Sequence, residues 1–285
     1  MSSKTGTTLN DYTGYLLRRA HERAKQEVSA SLGDDTHPRE ALVLSLLDRN
    51  GSILLHTLSD TLQVNRTVLV KLVDAVVDKG WVERQPNEAD RRSYRLVLTA
   101  KGRTALRSIR KRLDQAESRL TATLTAAERA ELTETLRRAL VDDPALGTPF
   151  ADRPGYLITQ AHRQQRARAT SELRHVGLHP RDFGVLTALS QAQPCSQQHL
   201  AVVFRVSPPA VMSFIDDLEA AGLVSRVRNK VDRRAYDVAL TDEGRRSLGA
   251  GTAVADSLQA DFDVRLGVRR AAQLRKTLAK VIGIE

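Results

Sequence analysis

One segment occurs twice in the chain: DRRSYRLVLTAKG at residues 90–102 and DRRAYDVALTDEG at residues 232–244. The second copy begins 142 positions after the first (232 − 90). The same shift relates HPR at residues 37–39 to HPR at residues 179–181. Because the 285-residue chain is about twice as long as this shift, the matches predict a tandem duplication of one structural unit.

A further match reveals a one-residue difference between the copies. GYL at residues 14–16 recurs at residues 155–157, a shift of 141 (155 − 14). One additional residue therefore lies between His162 and His179 in the second copy. We expect it in a connection, where an insertion costs little free energy.

Length and composition fit two folded domains. Each half has about 140 residues, which is near the commonest domain size. A hydrophobic content of 41% and a charged content of 27% exclude a disordered or fibrous chain. The sequence contains neither a long uncharged apolar stretch nor the apolar core of a signal peptide, so we expect a cytoplasmic protein with no membrane partner.

The single cysteine, Cys195, excludes an intramolecular disulfide framework. Its counterpart in the first copy is Ile53, which favours a small core residue over a reactive thiol.

The chain is strongly basic, with a net charge of +10 and a pI of about 10.1. This charge indicates a polyanionic partner, and nucleic acid is the first candidate. Lysine and arginine also cover ordinary solvated faces, so the charge has to lie on an element that can dock.

Hydrophobic periodicity and turn residues predict a helix-turn-helix followed by a hairpin. Asn50-Gly51 ends the second helix, and Gly80 ends the helix after the tight turn. A hairpin directly after a helix-turn-helix is a wing. In the first copy we predict helices at residues 11–32, 37–50, 56–62 and 66–79, a short apolar segment at residues 52–55, and strands at residues 81–84 and 94–98.

The helix after the turn has an apolar face and an opposite face. The apolar stripe, which we expect to be buried, consists of Leu69, Leu72, Val73 and Val76 in the first copy and Val211, Phe214, Ile215 and Leu218 in the second. The other face corresponds to a recognition helix, whose N-terminal end reaches base edges in the major groove. Its residues are Arg66, Thr67, Val70 and Lys71 in the first copy and Pro208, Pro209, Met212 and Ser213 in the second.

With these motifs in place, the sequence resembles the MarR family of winged-helix transcription regulators. The resemblance covers nearly the whole chain, twice, and is most specific at the Asp-Arg-Arg and Leu-Thr-x-x-Gly motifs quoted above. It implies that Arg92 and Arg234 enter the minor groove, a role that suits a weakly hydrated guanidinium. It also implies that Asp90 and Asp232 orient the wing by pairing with a nearby arginine. The alternative for Asp90 is that it only begins a turn.

The implied fold class is mainly α with small β-wings. It comprises two winged helix-turn-helix domains and a helical region of the dimerisation type. A family protomer normally holds one such unit and dimerises through its first helix and its last two. Here the last two helices are expected at residues 99–124 and 125–141 and again at residues 241–265 and 267–282, with a capping-box pattern at Thr125 to Glu128.

The expected organisation is a first unit at residues 11–141, a linker at residues 142–154 and a second unit at residues 155–283. A 13-residue linker spans at most about 45 Å and raises the effective concentration of the two units to roughly millimolar. We therefore predict a monomer that acts as an intramolecular pseudo-dimer. A homodimer of the whole chain is the alternative.

The two recognition faces differ. The first carries Arg66 and Lys71, whereas the second begins with Ser207 as an N-cap followed by two prolines and has no positive charge before the wing. The second wing compensates with five basic residues, Arg226, Arg228, Lys230, Arg233 and Arg234. The faces predict a base-reading first half-site and a second half-site held by phosphate and minor-groove contacts. The alternative is a second copy that serves only as a scaffold.

We accordingly expect a double-stranded DNA operator that is an imperfect inverted repeat, with half-sites about 34–36 Å apart or a multiple of that distance. The predicted DNA-binding residues are Asn65, Arg66, Thr67, Val70, Lys71, Arg84, Asp90, Arg91 and Arg92 in the first copy and Ser207, Pro209, Met212, Ser213, Arg226, Arg228, Asp232, Arg233 and Arg234 in the second.

Many family members are switched by small phenolic or other aromatic ligands, and the resemblance implies a repressor that such a ligand releases from DNA. Candidate ligand contacts are Tyr15, His21, His37, Tyr156, His162 and His179. Ordinary helix packing is the alternative for all six. Capping is the alternative for the two histidines that precede a proline, His37 and His179.

Other classes of function find less support in the sequence. His175 and His179 are four positions apart, but Gly177 between them disfavours the helix that a zinc pair needs, so we expect no metal site and no cofactor. The chain has no nucleophile elbow, phosphate-binding loop or Cys/His quartet, and we expect no enzymatic activity. A sequence-independent architectural DNA-binding protein is the remaining alternative.

Overall fold

The computed structural model describes residues 8–62, 64–87, 90–191, 194–204, 206–229 and 236–284, and residues 90–92 are described by their backbone alone. The described chain is mostly helical and has two three-stranded antiparallel sheets. It forms two compact units, each of which contains one copy of the winged helix. We call them the first unit and the second unit in the order of these copies.

The first unit consists of residues 17–162 together with the end of the chain from residue 276. Its elements follow the predicted order, and its wing strands extend beyond the predicted ones. They are α1 (Thr13–Leu32, from residue 17), α2 (Pro38–Asn50), β1 (Ser52–Leu54), α3 (Leu55–Leu62), α4 (Arg66–Asp78), β2 (Val82–Asn87), β3 (Asp90–Leu98), α5 (Ala100–Leu120) and α6 (Ala126–Ala139). The strand order is β1-β3-β2, with Val82 opposite Leu98 and Ile53 opposite Leu96.

The second unit consists of the described residues between 163 and 275 together with residues 8–16. Its elements are α7 (Pro154–Arg174, from residue 163), α8 (Pro180–Gln191), β4 (Cys195–Ser196), α9 (Gln197–Phe204), α10 (Pro208–Ala220), β5 (Val224–Arg228), β6 (Tyr236–Leu240), α11 (Asp242–Leu266) and α12 (Val268–Ile282, to residue 275). The strand order is β4-β6-β5, the counterpart of the first sheet. The predicted bounds of 11–141 and 155–283 are those of the sequence repeats, and they remain a prediction. The compact units are divided elsewhere, within α1, α7 and α12.

The predicted apolar stripes form the inner faces of the recognition helices. In α4, Leu69, Leu72, Val73 and Val76 are all buried. In α10, Val211, Ile215 and Leu218 are buried, so the prediction is confirmed at three of four positions. It is wrong at Phe214, which is only half-buried: the guanidinium of Arg181 lies 4.7 Å from the ring centroid and covers it from outside the core.

The Leu-Thr-x-x-Gly motif joins the wing to the long helix α5. The Thr99 hydroxyl donates to the Gly80 carbonyl at 2.8 Å and accepts from the Gly102 amide at 3.0 Å, so it caps the helix. A Cβ at Gly102 would lie 2.0 Å from the carbonyl oxygen of Trp81. Only glycine permits this close approach of helix and strand.

The second copy repeats this junction. Thr241 donates to the Gly222 carbonyl at 2.7 Å and accepts from the Gly244 amide at 3.0 Å. A Cβ at Gly244 would lie 1.9 Å from the carbonyl oxygen of Leu223. Both copies retain the motif because each brings the start of its long helix against the same backbone carbonyl.

The start of the chain is anchored on α11 in the second unit. The Tyr12 hydroxyl donates to Asp256 at 2.8 Å, and the Thr13 amide donates to the side-chain oxygen of Gln259 at 2.8 Å. Burial, reinforced by the bond to Asp256, raises the pKa of Tyr12, so the phenol keeps its proton and remains a donor. We call this set of contacts the neutral joint, because the residue that accepts from the α1 amide, Gln259, is uncharged.

The start of α7 is anchored in the same way on α5 in the first unit. Arg153 donates to Asp114 at 2.7 Å, and the Gly155 amide donates to a carboxylate oxygen of Glu117 at 3.1 Å. Burial raises the pKa of Glu117. We call this set the charged joint.

The two joints are repeat equivalents. Asp114 and Glu117 precede Asp256 and Gln259 by 142 positions, and Tyr12 precedes Arg153 by 141. Both copies therefore keep the contact between the first helix of one copy (α1 or α7) and the long helix of the other (α11 or α5). The side chains that make this contact differ in charge.

The predicted linker, residues 142–154, packs against the first unit. Residues Pro144–Gly147 form a short 3-10 helix, and the Gly147 carbonyl accepts from Arg49 at 2.9 Å. Phe150 is buried in the core of this unit, and Arg137 pairs with Asp152 at 2.7 Å. No helix among the described residues is both long enough and apolar enough to cross a membrane.

Candidate nucleic-acid interface

The outer face of α4 is polar and basic at its N-terminal end. The side chain of Asn65 accepts from the Val68 amide at 2.9 Å and so caps the helix. The predicted contact residues Arg66, Thr67, Val70 and Lys71 are all exposed. This face offers two cationic donors and one hydroxyl to a groove.

The outer face of α10 is exposed but differs in chemistry. Pro208, Pro209, Met212 and Ser213 are exposed, and Met212 keeps 53% of its surface accessible. Ser207 occupies the N-cap position as predicted, but its side chain makes no capping hydrogen bond. The next two residues are prolines without amide hydrogens, and the amide of Ala210 donates to the Ser207 carbonyl instead.

The two recognition helices also differ in net charge over the same 13 residues. In α4, Arg66 and Lys71 balance Asp74 and Asp78, for a net charge of zero. In α10 there is no lysine or arginine, and three acidic residues give a net charge of −3: Asp216, Asp217 and Glu219. The net charge of α10 is therefore less favourable than that of α4 for contact with a polyanion.

An arginine of each wing pairs with the recognition helix. Arg84 in β2 pairs with Asp74 of α4, and Arg226 in β5 pairs with Asp216 and Glu219 of α10. The hydrogen bond from Arg226 to Asp216 raises the pKa of this guanidinium. Both arginines were predicted to contact DNA, and in this structure they connect wing to helix within their own unit.

The remaining predicted contacts are those that the sequence predicts for the wings. Arg228 ends β5 and is exposed. The side chains of Asp90, Arg91 and Arg92 lie outside the described part of the chain, as do residues 230–235, which include Asp232, Arg233 and Arg234. The backbone of Asp90 pairs with Asn87 at the outer end of the first wing.

Two of the six candidate ligand contacts meet in the first unit. The imidazoles of His21 and His162 stack with ring centroids 4.8 Å apart, and His21 Nδ1 lies 3.1 Å from the Thr159 hydroxyl. These histidines are repeat equivalents (162 − 21 = 141), so each copy supplies one ring.

The other candidates have separate surroundings. His37 is the N-cap of α2 and accepts from the Arg39 amide at 3.1 Å, as the capping alternative predicted. Tyr156 makes an edge contact with Phe150 at 5.8 Å, and the carbonyl of His179 accepts from the Phe183 amide at 3.0 Å. Tyr15 lies in the first turn of α1. The described residues hold no cluster of three or more side chains able to bind a metal.

Sequence reasoning missed an exposed tyrosine in each wing, Tyr94 and Tyr236. They are 55% and 51% exposed and lie 142 positions apart. The signal was present in the repeated segment, because the tyrosine is kept in both copies while the residues on either side of it change.

The family model for the MarR family matches the chain twice, at residues 34–93 and 176–235. The first match ends at the start of β3 and the second ends before β6, so each covers the helix-turn-helix and the first wing strand of one copy. Each half of the chain carries a MarR-family domain. The tandem duplication is confirmed by the two matches.

Similar proteins are transcriptional regulators rather than enzymes. The chain is 26% identical over 91 residues to the regulator YpoP of Bacillus subtilis, which covers 32% of this chain and 64% of YpoP. It is 31% identical over 100 residues to the transcriptional repressor MprA of Escherichia coli, which covers 35% of this chain and 57% of MprA. The matched stretches thus span about three fifths of these two relatives.

Solved structures of CouR are also similar to part of the chain. CouR of Rhodococcus jostii RHA1 bound to p-coumaroyl-CoA is 25% identical, with a TM-score of 0.43, over 47% of this chain and 94% of CouR. CouR bound to a 23-mer DNA duplex is 28% identical, with a TM-score of 0.42, over 44% of this chain and 89% of CouR.

Proposed function

We propose that the protein is a site-specific double-stranded DNA-binding transcription regulator whose two MarR-family domains read unequal half-sites. The observation that carries the proposal is that two domains of the same fold expose recognition faces of different chemistry. α4 presents Arg66 and Lys71 beside a capped N-terminus, whereas α10 presents prolines and Met212. Cationic donors read guanine edges or phosphates, while an apolar side chain contacts a thymine methyl.

Selection of binding sites from a random DNA library tests this proposal. We expect an imperfect inverted repeat with one sharply defined half-site and one loosely defined half-site. Two equally sharp, matching half-sites would indicate a symmetric reader, most simply the first domains of two chains. Uniform protection of DNA in a footprint would instead support an architectural protein.

We further propose that one chain acts as a pseudo-dimer. The support is the pair of joints, in which each first helix starts against the long helix of the other copy. A homodimer of one-copy protomers would make that contact between two chains, and the covalent connection makes it available within one chain.

The mass of the protein in solution, free and on a short operator duplex, tests the pseudo-dimer. We expect 31.5 kDa for the free protein and one chain per duplex. Two chains per duplex at all concentrations would support the homodimer instead.

A second reading of the second domain has a specific observation in its favour. The net charge of −3 on α10 and the pairing of Arg226 with two carboxylates both weaken a contact with phosphates. In this reading the second domain is a scaffold that completes the helical region. The operator affinity of an Arg234→Ala variant separates the two functions, because a scaffold domain would lose no affinity.

We also propose that a small aromatic or phenolic effector releases the protein from its operator, which would make it a repressor. His21 is half-buried and its ring stacks on the buried ring of His162, so an aromatic ligand would pack on His21, with His162 behind it. Titration of the operator complex with hydroxylated benzoates tests this proposal, with His21→Ala and His162→Ala as comparison variants. Release by the same concentrations in parent and variants would exclude these two rings.

A further inference from the structure

Each wing exposes one tyrosine at the same position. Tyr94 in β3 is 55% exposed and Tyr236 in β6 is 51% exposed. Neither phenol oxygen has a hydrogen-bond partner among the residues that the structure describes. The neighbouring position changes from Arg95 to Asp237 between the copies, whereas the tyrosine does not change. In both copies, therefore, a half-exposed tyrosine leaves its hydroxyl available to a partner outside the domain.

The strand register shows which face of the first wing carries the tyrosine. Arg84 lies opposite Leu96, and Pro86 lies opposite Tyr94. Opposite residues share a face of an antiparallel pair, and positions two apart along a strand also share a face. Since Arg84 reaches Asp74 of α4, Tyr94 lies on the face of the wing that is turned towards the recognition helix.

The second wing has the same arrangement. Arg226 lies opposite Val238 and pairs with Asp216 of α10, and Arg228 lies opposite Tyr236. Tyr236 is therefore also on the recognition-helix side of its wing. The exposed guanidinium of Arg228 belongs to the same face.

The position of Tyr94 along the recognition helix follows from two contacts. The Trp81 amide donates to the Val76 carbonyl at 3.0 Å, and Arg84 pairs with Asp74, so β2 runs back towards the N-terminus of α4. Two further strand residues advance by roughly 6.6 Å, a little more than one helical turn of about 5.4 Å. This brings Tyr94 level with Val70 and Lys71, the exposed face that would enter the major groove.

We propose that Tyr94 and Tyr236 each donate a hydrogen bond from the phenol to a backbone phosphate of bound DNA. This inference rests on the proposed function. A recognition helix in the major groove and a wing tip in the minor groove have one phosphate backbone between them. A side chain between helix and wing meets that backbone, and a tyrosine hydroxyl is a neutral donor suited to a phosphate oxygen.

Tyr94→Phe and Tyr236→Phe test the proposal, because each removes only the hydroxyl. Binding is measured on the operator selected by the parent and on a random duplex, over a range of salt concentrations. We expect each variant to bind both duplexes about 3- to 10-fold more weakly, with an unchanged Tm. The sequence preference and the slope of affinity against salt should also stay unchanged, because a neutral donor releases no counterion. Val227→Ala, on the opposite face of the second wing, is the matched control and should bind like the parent.

Three results would overturn the proposal in distinguishable ways. Parental affinity of both phenylalanine variants would show that the hydroxyls do not contact DNA. A loss confined to the operator would show that the tyrosines read bases rather than phosphates. A parent protein that binds no duplex at all would remove the proposed function itself.

Discussion

The two recognition helices have the same length and nearly the same buried stripe, yet their outer faces have diverged. α4 keeps a capped N-terminus and two cationic residues, whereas α10 has two prolines, an exposed methionine and three acidic residues. Inner faces are constrained by close packing, which tolerates few changes of volume. In a homodimer every substitution appears in both outer faces. Duplication within one chain removes that restriction and lets each face change alone.

The two joints show a second form of the same divergence. Gln259 accepts from the start of α1 without charge, while Glu117 accepts from the start of α7 as a half-buried carboxylate. The geometry is retained, and the electrostatic cost differs. Each joint is a natural reference for the other, because the same backbone contact is made by a glutamate in one and by a glutamine in the other.

The largest expected effect comes from variants that unfold one domain and leave the other folded. Gly102→Ala and Gly244→Ala each place a methyl group against a backbone carbonyl that cannot move aside, and we expect a loss of about 3 kcal/mol or more in the free energy of unfolding. Gly102→Ala should abolish the sharp half-site, whereas Gly244→Ala should preserve it and lower overall affinity. Thermal unfolding and site selection measure both effects. Gly249→Ala, whose added methyl group would enter open space, is the control.

If Gly102→Ala unfolds at the parental temperature, the close approach of helix and strand is not required. If Gly244→Ala abolishes the sharp half-site as well, the two domains do not read DNA independently.

Removal of the wing arginines should give the next largest effect. Arg92→Ala and Arg234→Ala should each weaken operator binding by roughly 1–3 kcal/mol without changing the unfolding midpoint, because an arginine that contacts DNA contributes little to the stability of the free protein. Titration of labelled operator measures the affinity. An Arg234→Ala variant that binds like the parent would mean that the second domain is a scaffold.

Exchange of one outer-face residue should change specificity more than affinity. Lys71→Ala should degrade the sharp half-site, with a cost of about 1–2 kcal/mol on the preferred sequence. Its repeat equivalent Ser213 is also exposed, and Ser213→Lys should sharpen the loose half-site. Site selection with each variant measures the information in each half-site. Equal changes in both half-sites after either substitution would contradict the assignment of one half-site to each domain.

The smallest expected effect concerns the charged joint. Burial raises the pKa of Glu117, so its contribution to stability is full below the ordinary glutamate pKa and is lost as pH rises through the raised pKa. Glu117→Gln imitates the neutral joint, and we expect it to stabilise the protein at pH 7 by about 1 kcal/mol or less. The gain should vanish at about pH 4, near the ordinary glutamate pKa.

Tm measured at the two pH values tests this prediction. The control is Glu131→Gln on the exposed surface of α6, which should leave Tm unchanged at both. A Glu117→Gln variant that is less stable at pH 7 would show that the carboxylate is needed for the joint.

The sequence by itself determined the duplication, the order of elements and most of the buried stripe of each recognition helix. These features are local or periodic. The apolar spacing of Leu69, Leu72, Val73 and Val76 reports the 3.6-residue helical repeat, and the Thr and Gly of Leu-Thr-x-x-Gly report a cap and a close backbone contact. A sequence shows such features directly, because they depend on contacts between residues that are only a few positions apart.

The tertiary structure decided which charged and aromatic groups meet. Arg84 and Arg226 pair with carboxylates of their recognition helices, Arg181 covers Phe214, and Tyr12 reaches Asp256, which is 244 positions away. Long polar side chains have many rotamers and several candidate partners, so no sequence period selects one. Only the packed arrangement of strands and helices fixes the distances at which such groups pair, and it therefore decides which predicted DNA contacts already have a partner within the protein.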